Sequence, residues 1–198
     1  MCHVAYTSGV FRERPEFAKT MSRLSMRPDV MAHHEAGHAV AAAVLGIPFL
    51  VVRLTPDENG KIGVDFKRIP WTFPRPAQKL DGLTDEEWSE LSRDDVKWEV
   101  WQREENDNFA IFMLAGKAAQ IEYAGSAEPE DARFDYSFVE YRLPLCYERL
   151  GELEMKAADF VRRHWPAVLA VASELLKRST LSPDEVKQLI KDSMPGIF

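Results

Sequence analysis

The sequence predicts an α+β fold, mainly helical, with a small β-hairpin beside an alanine-rich helix. Three observations predict it. Residues 31–45 are rich in alanine, a strong helix former, and stop at Gly46 and Pro48, as a helix end followed by a proline does. Residues 49–55 and 61–69 are β-rich runs flanking Pro56-Asp57-Glu58-Asn59-Gly60, a strong turn signal, so they pair as a hairpin. From Thr84 onward the pattern is helical almost throughout.

Residues 1–28 carry five basic and two acidic side chains and read as a loosely ordered arm, with Phe11 and Phe17 available for docking. They lack the apolar stretch of a secretory signal. Residues 29–198 read as one domain. Asp29 is the expected N-cap of the alanine-rich helix. In the second β-run Ile62, Val64 and Phe66 alternate onto one face, and Gly63 between them points to close approach by another backbone. That strand is either the rim of a substrate cleft, where an extended peptide could pair, or part of an ordinary hairpin.

Pro70, Pro74 and Pro76, set among Trp71 and Phe73, exclude regular structure; the segment is a connecting loop covering the core or a flap over a cleft. Thr84-Asp85-Glu86-Glu87 is a capping box. Residues 85–107 hold ten acidic side chains against Arg93, Lys97 and Arg103, interrupted by Trp88, Trp98 and Trp101. They read as the solvated face of one or two helices, with a docking surface for a protein partner as the second reading. Residues 109–123 form an apolar, buried helix, and residues 135–150 another with a break at Pro144. Residues 152–177 make a long amphipathic helix interrupted at Pro166. Ser182-Pro183-Asp184-Glu185 opens the last helix, with Ser182 at N-cap.

Composition narrows the function. Hydrophobic residues make up 45% of 198, enough for a substantial core, and the net charge of −7 argues against general nucleic-acid binding. Cys2 and Cys146 are the only cysteines, which suggests a reducing, cytoplasmic setting and excludes a cysteine-rich zinc site. The longest apolar run, residues 39–52, falls short of the roughly 20 residues of a membrane span. No internal repeat and no glycine-rich phosphate loop is present.

The chemistry concentrates in His34-Glu35-Ala36-Gly37-His38. On a helix, positions i and i+4 share a face, so the two imidazoles can hold one zinc ion at about 2.0–2.1 Å. Glu35 can then take a proton from a water on the metal. Such a pattern arises by chance in this composition about 1% of the time. His33 is turned by about 100° from His34 and is expected to be partly exposed. A catalytic zinc usually has three protein ligands and one open position. His3 and His164 lie in the arm and on an expected surface helix, so a carboxylate is the better third ligand.

The segment Met31-Ala32-His33-His34-Glu35-Ala36-Gly37-His38-Ala39-Val40 resembles the zinc helix of the FtsH-type metallopeptidases. The hairpin follows at the family's spacing, and Leu114-Ala115-Gly116-Lys117-Ala118-Ala119 is similar to the family's Leu-Gly-Gly-Arg-Ala-Ala stretch. The closing segment, Trp165-Pro166 through Val186, resembles the family's last two helices. The resemblance spans roughly residues 29–191 and implies a zincin-like peptidase domain. It also implies that an aspartate at the start of a helix completes the zinc site; Asp135, followed by Tyr136, fits that position better than Asp131, which follows Pro129-Glu130 in a loop.

The chain departs from the family in two ways. FtsH-type proteins carry membrane spans and an ATPase module before the peptidase, whereas this chain resembles the free-standing relatives. The family's two glutamates after Ala-Ala are Gln120 and Ile121 here, with Glu122 as a candidate substitute.

Two functions follow. The first is a zinc-dependent, ATP-independent endopeptidase acting on peptides or unfolded protein. His34, His38 and Asp135 hold zinc in that reading and Glu35 is the general base. The second is a regulatory or interaction protein that keeps zinc but no longer cleaves. Neither reading fixes the oligomeric state.

Overall fold

The computed structural model describes residues 26–55, 62–66, 83–127, 132–143, 146 and 148–198. The arm up to residue 25, the hairpin turn at 56–61 and the proline-rich segment at 70–76 lie outside the described residues.

Helix α1 spans Pro28–Val44. Pro28 occupies the first turn, where a missing N–H costs nothing and the ring presets φ. Asp29 is therefore not the N-cap expected of it; Arg27 holds that place. Asp29 instead receives Arg27 Nε at 3.1 Å and the Tyr123 hydroxyl at 2.9 Å. Gly46, at φ 72°, turns the chain out of the helix. Twelve of the seventeen residues of α1 are buried, on all sides of the helix, which explains its apolar sequence.

Strands β1, Phe49–Arg53, and β2, Gly63–Phe66, pair antiparallel with Val52 opposite Val64 and an irregularity between Phe49 and Val51. Ile62 precedes the strand and is exposed, so it does not share the buried face of Val64.

Helices α2, Asp85–Arg93, and α3, Asp95–Ala124, follow. Thr84 caps α2 as expected: its Oγ1 accepts the Glu87 amide at 3.2 Å, and Glu87 Oε2 accepts the Thr84 amide at 2.7 Å. The acidic stretch and the apolar helix expected after it are divided differently from the sequence reading. The chain breaks only at Asp94, whose backbone is extended and whose Oδ1 caps the Lys97 amide at 3.1 Å. One 30-residue helix then runs from acidic surface to buried core. Trp98 is buried between Trp88 and Trp101, at ring distances of 6.3 and 5.1 Å, and locks α2 onto α3.

Helix α4 covers Arg133–Arg142 and stops at Leu143, whose φ of −126° is non-helical, so the helix breaks before Pro144 as expected. Helices α5, Leu150–Arg163, and α6, Trp165–Arg178, meet at His164, with Pro166 in the first turn of α6 as the break. Arg149 ties the start of α5 to α3 through two bonds to Asp107, at 3.0 and 2.8 Å.

Ser179, at φ 63°, then reverses the chain into β3, Thr180–Leu181, a strand the sequence did not announce. It pairs with β1 through Val52–Leu181, giving the antiparallel order β2-β1-β3. Helix α7, Pro183–Ser193, closes the chain with the expected Ser182 capping box.

Helix α1 packs against α3, α6 and α7, with the sheet at its end. Val40, Val52, Val168, Val171, Leu175, Leu181 and Ile190 are fully buried around it. Each such side chain contributes about 1.5–3 kcal/mol by leaving water. Gly37 sets how closely α1 and α3 approach: a Cβ there would lie 2.7 Å from Ala119 Cβ and 2.5 Å from the Ala115 carbonyl oxygen. No helix among the described residues is long and apolar enough to cross a membrane.

Candidate metal centre

The structure brings His34, His38 and Asp135 together in the buried space between α1, α3 and the start of α4. The two histidine Nε2 atoms are 3.1 Å apart, and Asp135 Oδ2 is 3.3 Å from that of His34 and 3.4 Å from that of His38. Asp131 lies outside the described residues. His33 does not join the group.

The far side of each ring decides what the near side offers. His38 Nδ1 lies 2.8 Å from the Phe112 carbonyl oxygen, which can only accept, so Nδ1 carries the proton and Nε2 presents a lone pair. His34 Nδ1 faces Gln120 Oε1 at 3.3 Å and takes the same tautomer. Asp135 Oδ2 is buried without a hydrogen-bond partner. Three acceptors therefore converge in a buried space, an arrangement that requires a cation.

Two cations suit it. In the metal-free chain a proton serves: burial pushes His34 down, but the adjacent Asp135 carboxylate outweighs it and the net shift is upward. Burial pushes Asp135 up, but the two histidines outweigh it and hold it below the usual carboxylate range. A metal is the other. Donors about 2.0–2.1 Å from one tetrahedral zinc lie about 3.3–3.4 Å apart. The observed edges of 3.1, 3.3 and 3.4 Å match that size, and two neutral imidazoles with one carboxylate are a zinc donor set. Among the described residues no fourth histidine, cysteine or acid belongs to the group.

Glu35 sits beside the group without being part of it. Burial raises its carboxyl pKa, and the Val64 amide donates to it. Gly63, at φ 108°, lies against the same carboxylate. The sequence anticipated a backbone approaching Gly63; the approaching group is a side chain.

Gly116 on α3 forms one wall of the centre. A Cβ there would lie 2.7 Å from His34 Nε2 and would overlap His38 Nε2. One turn on, Gln120 is buried, while Ile121 and Glu122 are exposed. Glu122, being exposed, does not stand in for the two glutamates of the family pattern; Gln120 itself occupies the place beside His34. The spacing of Gly116 and Gln120, i and i+4 on one helix face, was the available signal.

Asp135 owes its position to its neighbour. Lys117 Nζ donates to the Tyr136 hydroxyl at 2.6 Å, and that hydroxyl donates to Glu154 Oε1. The chain α3–α4–α5 fixes the first turn of α4 and aims Asp135 inward. Burial and Glu154 push the Tyr136 phenol upward, so it stays a donor.

One histidine departs from its expected exposure. His33 is buried, stacked on Tyr123 at 3.6 Å with Nδ1 donating to the Asp29 carbonyl at 2.7 Å. Its ring anchors the start of α1 against the end of α3. His164 is half-buried at the α5–α6 junction, away from the metal-ligand group, with Nδ1 on the Phe160 carbonyl at 2.7 Å.

No family model matches the chain, and no curated protein matches it.

Proposed function

We propose that the chain is a zinc-dependent endopeptidase of zincin-like fold, resembling the FtsH-type peptidases. The observation that carries the reading is the convergence of three buried acceptors, His34 Nε2, His38 Nε2 and Asp135 Oδ2, with a second carboxylate, Glu35, alongside.

Zinc bound there would acidify a water and polarise the scissile carbonyl. The protein's own residues do the rest. His34, His38 and Asp135 hold the ion, and Gln120 and the Phe112 carbonyl keep both rings in the ligating tautomer. Glu35 takes the proton of the attacking water and delivers it to the leaving amine. Its raised pKa suits both halves of that transfer.

Among the described residues strand β2 is the outer strand of the sheet, beside Glu35, where an extended peptide would add alongside it. Unfolding a stable substrate takes about 5–15 kcal/mol. The chain's activity is ATP-independent and confined to peptides, loops and unfolded segments. A protein partner delivering substrate would use the acidic stretch of residues 85–107, across α2 and the start of α3.

The rival, a zinc protein that no longer cleaves, drew on the altered Gln120-Ile121 pair. Gln120 supports His34 in spite of the change, and a centre without catalysis has no use for Glu35. Glu35→Gln separates the two. In a peptide-library digest we expect the variant to retain zinc and lose activity by about 10²–10⁴-fold. Wild-type activity in the variant, or none in the zinc-loaded wild type, would refute the peptidase.

A further inference from the structure

Both candidate metal-binding histidines lean on neutral acceptors. His38 leans on a main-chain carbonyl, which no substitution at position 112 would change. His34 leans on a side chain, the buried amide of Gln120, at 3.3 Å. A carboxylate in that place would make the imidazole a better donor to a metal, because an ionised acceptor pulls harder on the Nδ1–H proton and adds a negative charge near the ion. With an amide, Asp135 is the only formal charge among the donors and their hydrogen-bonding partners described here. Two positive charges then face the Asp135 carboxylate among the donors, with the Glu35 carboxylate alongside, and a carboxylate at position 120 would add a further negative charge where burial screens it little.

We propose that Gln120 is the positioning residue of His34, and that its neutrality sets the centre to hold zinc in an exchangeable way, so that occupancy follows metal supply. This rests on the metal-centre reading above. Gln120 fixes the ring through Oε1, and its amide character withholds the extra affinity a carboxylate would add. Ile121, the other departure from the family pattern, is exposed and plays no part.

The test is chelator competition for zinc on the full chain, with wild type, Gln120→Met and Gln120→Glu, each checked for cooperative thermal unfolding. Methionine keeps the length and removes the acceptor; glutamate keeps the acceptor and adds the charge. We expect Gln120→Met to bind zinc about 10–100-fold more weakly, and Gln120→Glu to bind it about 10-fold more tightly and release it more slowly than wild type. A role in packing alone would not order the two variants on opposite sides of wild type. Equal affinities across the series, or a glutamate variant weaker than wild type, would overturn the proposal alone. Absence of zinc uptake by the wild type would overturn the metal centre and the proposal together.

Discussion

Gly63 lies against the carboxylate of Glu35, so closely that a Cβ at residue 63 would come within 2.9 Å of Oε2. Its φ of 108° is also one that side-chain-bearing residues rarely adopt. Gly63→Ala should therefore displace Glu35 while leaving His34, His38 and Asp135 in place. We expect zinc content at wild-type level and peptidase activity reduced by about 10²-fold or more, approaching that of Glu35→Gln. Activity within twofold of wild type would show that β2 does not position the base.

Gly116→Ala tests the opposite face. The added methyl would occupy the space in front of both Nε2 atoms. Forced overpacking costs about 1–3 kcal/mol, so zinc affinity should fall by about 10–100-fold. Gly151→Ala is the control, because nothing lies within 4 Å of a Cβ there. Isothermal titration of both variants with zinc should separate them; equal affinity would remove Gly116 from the site.

The pH dependence has a definite sign. His34 is raised above its ordinary value near 6.5, so its contribution to metal-free stability is complete below about pH 6.5 and is lost as pH rises through the raised value. Asp135 is lowered, so its contribution is complete above about pH 4 and is lost as pH falls further. The pair therefore stabilises the metal-free protein most between about pH 4 and 6.5. Zinc must displace the His34 proton, so the stabilisation added by zinc should grow from pH 5 to pH 8. Thermal melts with and without zinc across that range measure it. A gap that narrows with pH would exclude His34 as a ligand.

Leu175→Ala tests the packing that holds α6 to the core. The side chain is fully buried, and its truncation should cost about 2–5 kcal/mol in urea unfolding with little change in slope. A loss under about 1 kcal/mol would mean the core around α1 closes over the gap.

Much of this protein is legible in its local sequence. The His34–His38 pair needs only helical periodicity to share a face, and the alanine-rich run supplies the helix. Thr84 and Ser182 each cap through contacts three residues away, which is why both boxes form as expected. The gaps also have local causes. Pro28 claimed the helix start from Asp29, and Asp94 rather than the change in hydrophobicity set the break between α2 and α3.

The sequence by itself determined the helical character, the hairpin, and the two histidines with their glutamate, because each depends on residues within a few positions of one another. The resemblance singled out Asp135, but only the tertiary structure brought it and the other distant residues to the histidines. Asp135 reaches the histidines from about a hundred residues away, Gln120 backs His34 from a neighbouring helix, and β3 joins β1 from the far end of the domain. These are meetings between separate elements, set by how closely Gly37 and Gly116 let α1 and α3 approach and by the burial of the core between them. Periodicity along one segment carries no information about such meetings.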